Sequence, residues 1–512
     1  MIHRFPLPIL AIAALLPLPA AAAPVKADPV RQYRIAHEWE IVRELADFVA
    51  IPNAGDSAAE MEPNVRALDA MLKQRGFSVT RIQTGDAGKP SIIARLDTPG
   101  AQRTLGFYAH FDGQPVGQPD WRTPPFQPVL RAGPAVDAPI IDLAGPPTAL
   151  APEARLYGRS ASDDKGPIIA ILRAIDALRA TKQALGTNVI LFLDGEEEAG
   201  SPDIAAQLRA HTDALKADLW ILCDGPVHSS GAQQVILGAR GVMSLELTAY
   251  GPRRGLHSGH YGNWAPNPAL ALARLLAAMR DEQGEATIPG FDDGVKPIDA
   301  EERRLLDALP AVEDGLRRDL EIGRTEGAPR LMDGIMRPSI NIRGISAGAV
   351  GENAANVIPT RAMASIDMRL VPGQTPEHVR DVTERFFREQ GWFVTAGAPD
   401  AEMLRGHPKV LRAEWVLGYA AHRGAASEPG TQAVIRAVTR ALGKPPFTTP
   451  MLGGSIPMSI IADGLSAPAV LLPTVNADNS QHAANENLRL QNLWDGIDMF
   501  AAILRDFGSA RR

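Results

Sequence analysis

The sequence predicts an α/β fold in which a mostly parallel sheet has helices on both faces and carries an inserted small α+β domain. Apolar runs such as TLGFYAHF, NVILFL, DLWILC and APAVLLP are short and unbroken, as strands buried on both faces must be. They alternate with helical patterns such as PIIAILRAIDALRAT, and alternation of strand and helix means a parallel sheet covered on both sides. From Gly241 the texture changes: VMSLELTAYG alternates apolar and polar residues as a half-exposed strand does. The chain has 512 residues. A single core stops growing at roughly 250–300 residues, so at least two domains are required. The changes of texture divide the chain into 24–240, an insertion at 241–405, and a return to the first unit at 406–512.

Taken in order, residues 1–23 have a basic start at His3 and Arg4, an apolar stretch and a run of small residues. That is the pattern of an export leader cut after Ala23, and it predicts a secreted or periplasmic protein. Pro6, Pro8, Pro17 and Pro19 argue against a membrane anchor, and no later run is long enough to span a bilayer. Cys223 is the only cysteine, so no intrachain disulfide can form. Helical spacing follows in EWEIVRELADFVAI and in MEPNVRALDAMLKQRG, which ends with Gly76 at a C-cap. Strands FSVTRI, SIIARL and TLGFYAHF come next, and 127–153, rich in Pro, Ala and Gly, reads as an inserted loop. Pro167 is expected at the first position of a helix. The insertion reads as strands, among them SINIRGI and RAMASIDMRLV, with helices NPALALARLLAAMRDEQG and PEHVRDVTERFFREQG and a charged stretch at 285–330. Net charge is −7 without a basic stripe, so the expected partner is a small molecule and not a nucleic acid.

Histidines and carboxylates gather where the strands of the α/β part end, which is where open parallel sheets bind ligands. His110 and Asp112 close one strand with both side chains on one face; Asp163 and Asp164 precede a helix; Glu197 and Glu198 follow NVILFL; Asp224 follows DLWILC; His482 lies beyond APAVLLP. Each alone has an ordinary explanation as a satisfied polar residue, a helix cap or a solvated turn. Together they form a mixed nitrogen and oxygen donor set that suits zinc. Such an ion would also offset the repulsion among gathered carboxylates, about 1 kcal/mol per pair at ~4 Å even in bulk water.

The ordered motifs YAHFDGQPV, GRSASDDKGP, DGEEEAGS, LCDG and HAANENLRL resemble those of the dizinc exopeptidase family. That family includes carnosine dipeptidases, acetylornithine deacetylases, succinyl-diaminopimelate desuccinylases and glutamate carboxypeptidases. The resemblance spans nearly the whole chain after the leader. It implies two zinc ions per subunit, replaceable by cobalt or manganese, bridged by Asp163. One ion would add His110 and Asp224, the other Glu198 and His482. Glu197 would be the general base on a bridging water, and Asp112 would orient His110. Glu196 and Asp164 read as solvated or capping residues. In the insertion, a lid and dimerisation domain by the same resemblance, His257 would reach the partner subunit's active site in a homodimer. Asn356, Arg369, Gly454 and Ser455 would bind substrate, Arg369 through its planar fork.

One departure stands out. Where carnosine-type relatives commonly have Arg-Glu before GGSIP, this chain has Met451 and Leu452. An apolar pair cannot salt-bridge a free carboxylate, which argues against a strict dipeptidase's preference for a terminal acid. The expected activity is hydrolysis of an amide bond in a dipeptide or at a peptide end. Deacylation of N-acyl amino acids, hydrolysis of carbamoyl compounds and an inactive metal-binding scaffold are the alternatives. Retention of Glu197, which metal storage would not need, counts against the scaffold.

Overall fold

Uncharged runs of β-branched and aromatic residues can bury both faces while pairing every backbone group only as interior strands. In the computed structural model, which describes residues 28–509 apart from 56, 86–87, 118 and 147–148, they form an eight-stranded sheet. The expected leader lies outside the described residues. The central four strands, Asn188–Asp194, Thr104–His110, Leu219–Leu222 and Ala469–Leu471, run parallel. Ser78–Ile82 and Ser91–Leu96 form one antiparallel edge; Gln234–Ile236 and Phe447–Thr449 form the other. Helices Lys165–Ala180 and Leu490–Asp506 cover one face over Phe107, Leu172 and Phe500. Helices Ile204–Ala210 and Met458–Gly464 cover the other over Tyr108, Phe192 and Trp220. A Cβ at Gly106 would lie 2.5 Å from the Trp220 ring, so only glycine lets the indole cross the neighbouring strand.

Three expectations about elements change. The helix expected to open at Pro167 opens two residues earlier, at Lys165, with Asp164 as its N-cap residue. The presumed loop 127–153 contains strands Val129–Arg131 and Ile140–Ile141, which join Arg155–Tyr157 and Asn487–Arg489 in a four-stranded antiparallel sheet. Runs of two or three residues between prolines are too short for a period to show. Finally, the strand Val410–Tyr419 pairs with Gly241–Tyr250, so the smaller sheet draws on residues beyond 405. Its alternating burial is that of a half-exposed strand, the texture already seen at 241–250.

That smaller sheet is ordered Ser339–Ser346, Arg361–Leu370, Gly241–Tyr250, Val410–Tyr419, Phe393–Thr395. Helices Pro268–Ala277 and Pro376–Glu389 pack on it over a separate core that includes Leu245, Ile366, Leu275 and Phe387. The charged stretch at 285–330 holds short helices Ala300–Asp307 and Glu313–Asp319, the first opened by a capping box between Asp299 and Glu302. With Leu331–Ile335 they pack against Met451 through a cluster that includes Leu306, Leu309 and Met336.

Candidate metal centre

The parallel strands deliver their carboxyl ends side by side, and the predicted ligands meet there. His110 Nε2 lies 2.9 Å from Asp163 Oδ1, and His482 Nε2 lies 3.2 Å from Asp163 Oδ2 and 3.4 Å from Glu198 Oε2. Two groups result, each with donor atoms within 4.8 Å of one another: His110, Asp163 and Asp224, and Asp163, Glu198 and His482. Asp163 belongs to both and turns one oxygen to each histidine. An imidazole nitrogen with carboxylate oxygens on each side is a donor set that fits a divalent cation.

Behind these atoms stands a layer of acceptors that hold the turns. Asp112 Oδ1 lies 3.3 Å from His110 Nδ1. The same carboxylate accepts the backbone N–H groups of Glu197 and Glu198, both at 3.2 Å. Asp194 accepts from the Tyr108 and Ser201 hydroxyls and the Glu196 N–H, which anchors the acidic turn from below. Glu196 and Asp164, expected as solvated or capping residues, are both buried, and Asp164 takes its N-cap position without a side-chain cap bond. Glu196 accepts the Lys89 N–H at 2.7 Å, and Asp164 accepts the His110 N–H at 3.4 Å. Both carboxylates are drawn inward to backbone donors that strand ends leave open.

Glu486 was not foreseen. It is fully buried, four residues past His482, and its Oε1 accepts from the Ser162 N–H, the Ser162 hydroxyl and the Asp163 N–H at 2.9–3.0 Å. Its Oε2 accepts from the Ser160 N–H and the Arg159 guanidinium at 3.0 and 2.9 Å. One carboxylate thus gathers the irregular segment that carries Asp163 and ties it to the segment that carries His482. The signal available in the sequence was a Glu inside the HAANENLRL motif that carries His482.

Charge follows from this crowding. Burial pushes Glu197 well above the carboxylate range, with Asp224, Glu198 and Asp163 adding to it. Glu198 is pushed up to about 8 by burial and Asp163, and Asp224 to about 6 by the same two causes. His482 is raised to about 9, chiefly by its hydrogen bond to Asp163. Burial alone would depress His110, but its bonds to Asp112 and Asp163 hold it well above its ordinary value. Burial would likewise raise Asp163, but hydrogen bonds from the two histidines hold it below the usual carboxylate range.

Of the residues expected to bind substrate, Arg369 and Ser455 meet: the guanidinium donates to the Ser455 hydroxyl at 2.8 Å, and Asp367 holds its Nε at 3.1 Å. Gly454 adjoins them in an exposed turn. Tyr419, which the sequence reading passed over, connects this pair to the metal residues. Burial raises its phenol well above its ordinary value, with Glu197 and Asp224 adding and Arg369 opposing, so all three act on one ring. His257 and Asn356 lie elsewhere, exposed and side by side, the Ser258 N–H donating to the Asn356 carbonyl. Among the described residues no hydrogen bond joins either to the centre.

A largely parallel sheet whose strand ends bring two imidazoles and several carboxylates onto one aspartate defines a metal-dependent hydrolase of the exopeptidase type. Sequence comparison narrows this. The chain belongs to peptidase family M20/M25/M40, whose profile matches residues 106–506. It is 25% identical over 484 residues to the Cys-Gly metallodipeptidase dug1 of Schizosaccharomyces pombe, covering 93% of this chain and 95% of that one. It is 26% identical over 504 residues to the Beta-Ala-His dipeptidase of Homo sapiens, covering 94% and 92%. Among solved structures, the M20 family metallo-carboxypeptidase Sso-CP2 from Sulfolobus solfataricus matches with a TM-score of 0.76 at 25% identity, covering 92% of this chain and 99% of that one.

The secreted or periplasmic location read from residues 1–23 does not stand. The Cys-Gly metallodipeptidase relatives are cytosolic enzymes. No helix among the described residues is long and apolar enough to cross a membrane.

Two outcomes are expected. Metal needs deprotonated ligands, and at pH 7 Glu198 and His482 both still carry their protons. Loading the metal-free protein therefore releases protons, and affinity climbs with pH and drops steeply below about 6, where Asp224 is protonated as well. Calorimetric titration in two buffers of different ionisation enthalpy measures this. Glu486→Gln sets an amide donor against backbone donors, and metal affinity should fall roughly 10- to 100-fold in chelator competition; unchanged affinity would show that the clamp is dispensable.

Proposed function

We propose that this protein is a dinuclear zinc dipeptidase, hydrolysing the amide bond of short peptides. The observation that carries the reading is the sharing of Asp163 between two donor groups, each with its own histidine. The names of the curated relatives, Cys-Gly and Beta-Ala-His dipeptidases, support dipeptides as the substrate class. His110, Asp163 and Asp224 would hold one ion, and Asp163, Glu198 and His482 the other. Zinc in these positions would supply a Lewis acid that polarises the scissile carbonyl and acidifies water near neutral pH.

The remaining work falls to side chains. Glu197 belongs to neither donor group, and Asp112 fixes its backbone. Free of coordination, it accepts the proton of the attacking water and passes it to the leaving amine. Asp112 also keeps His110 in the tautomer that presents Nε2 to the centre. Arg369, steadied by Asp367 and Ser455, receives the substrate's terminal carboxylate, with Gly454 and Ser455 beside it.

Residues 241–419 act as a lid and dimerisation unit. His257 sits on a two-residue strand paired with Val357–Ile358. Nearby segments expose Trp264, Ile345, Val350 and Val357, and Ser339–Ser346 is an open sheet edge. An open edge with apolar side chains is a surface that another chain covers. A second copy covering it brings the partner's His257 to the substrate oxyanion.

Glu197→Gln should keep its metal, measured by elemental analysis, while kcat falls about 10²- to 10⁴-fold. Full activity in that variant would remove Glu197 from the mechanism. His257→Ala mixed with a His482→Ala chain should recover turnover that neither parent shows, because the mixed dimer reunites one good centre with one good histidine. Sedimentation confirms that the mixed dimer has formed, and a formed but inactive one argues against action across the interface. A panel of dipeptides, N-acyl and carbamoyl amino acids with zinc, cobalt or manganese tests the substrate class.

A further inference from the structure

Met451 and Leu452, the apolar pair before the GGSIP turn, have different surroundings. Met451 is fully buried in the cluster with Leu306, Leu309 and Met336. Leu452 is half-buried, and a Cβ at Gly225, the residue after Asp224, would lie 4.0 Å from its Cδ2. A cavity of about 120 Å³ opens beside it. One wall is the chain leaving Asp224, at Pro226 and Val227. A second is the chain entering the turn, at Met451, Leu452 and Gly453. The third comes from the helical insertion, at Leu309, Val312, Met332 and Ile335. Ile335 rests on Gly453, where a Cβ would meet it at 3.0 Å, so the insertion and the turn form one surface.

Several polar groups around this cavity are already bonded to neighbours. Gln234 binds Thr449 and the Pro226 carbonyl; Glu313 accepts the N–H groups of Val312 and Leu331; Arg330 binds Asp307 and the Leu306 carbonyl. His228 and Ser229 also reach the lining, and the rest of the wall is mostly apolar. At ~30 Å³ per water-sized unit the space matches the four carbons of a branched aliphatic side chain.

We infer that this cavity is a specificity pocket for a leucine-sized aliphatic side chain on the carboxyl-terminal residue of the substrate. It rests on the dipeptidase reading above: two of its three walls are the segments that carry Asp224 and Ser455, and Ser455 is bonded to Arg369, the proposed carboxylate partner. A peptide stretched from the metal residues to Arg369 passes the mouth with its last side chain. The enzyme is then selective among dipeptides by the size of that side chain, and the insertion at 285–335 sets the limit.

The test is kcat/KM for Gly-Leu, Gly-Ala, Leu-Gly and Ala-Gly with the zinc-loaded enzyme. The ratio of Gly-Leu to Gly-Ala should be about tenfold or more, since even one methylene in an apolar pocket discriminates by about 10- to 200-fold. Leu-Gly over Ala-Gly should show no such preference. Met332→Trp, which fills the cavity, should bring the Gly-Leu to Gly-Ala ratio near unity, and Met332→Ala, which enlarges it, should raise Gly-Phe relative to Gly-Leu. A flat ratio in the unaltered enzyme, a preference confined to the amino-terminal residue, or Met332 variants with unchanged ratios would overturn the pocket and leave the peptidase reading standing. Absence of turnover of every dipeptide with zinc, cobalt or manganese would overturn the reading beneath it.

Discussion

Holding Asp163 in place while its two oxygens face opposite ways is the constraint on which the rest of the centre depends. Asp163 lies in the irregular turn before the helix Lys165–Ala180. Glu486 fixes that turn by accepting the Asp163 N–H along with those of Ser160 and Ser162, and His110 and His482 each hold one Asp163 oxygen. Ser160 takes a left-handed φ of 65°, an unfavourable conformation for a residue with a side chain that the hydrogen bonds to Glu486 compensate. Glu486 is itself a buried charge, and Arg159 answers it from a position only 1% exposed. A buried pair of this kind is tolerable when its remaining donors and acceptors are satisfied, and it is costly to break, about 3–5 kcal/mol when one partner is removed. Trp121 closes the set, its ring 5.1 Å beneath the Arg159 guanidinium.

The acidic turn after NVILFL follows the same logic at the next strand. Asp112 and Asp194 take its N–H groups, so Glu197 and Glu198 project from a backbone that cannot relax away from the centre. Without a cation the carboxylates around Asp163 repel and take up protons, which is what the raised values of Glu198 and Asp224 express. The protein invests its order in an arrangement that is electrostatically unfavourable until positive charge arrives. Such preorganisation is what a fixed cation site requires.

The strands and the ligands were legible because their signals are local. A strand buried on both faces must be an apolar run, and a ligand near its end must be His, Asp or Glu, so His110, Asp163, Glu198, Asp224 and His482 could be named as candidate ligands from the residues and the family resemblance together, and the structure brings them into two groups. Glu486 and Arg159 were not, because their partners are backbone N–H groups or lie more than 300 residues away, and neither relation leaves a pattern in the chain. Tyr419 was missed for another reason: it sits on the strand assigned to the wrong side of the 405 boundary, where a half-exposed texture was overlooked. The leader shows the opposite failure, a strong local pattern that the comparison with relatives does not support.

Chemistry and selectivity occupy different parts of this molecule, and the separation has a physical basis. Of the candidate metal residues, His110, Glu198 and Asp224 end or follow adjacent strands of one hydrogen-bonded sheet, and Asp163 and His482 come from irregular segments tied together by Glu486. The apolar walls beside Leu452 come instead from short helices at 300–335, held to the large unit by a small cluster around Met451. Changes in side-chain volume there alter the space available to a substrate without touching the backbone donors that set Asp163. A fold built this way can keep one hydrolytic centre while its preference drifts, because the short helices meet the large unit through the cluster around Met451 and the contact of Ile335 with Gly453, not through the candidate ligands.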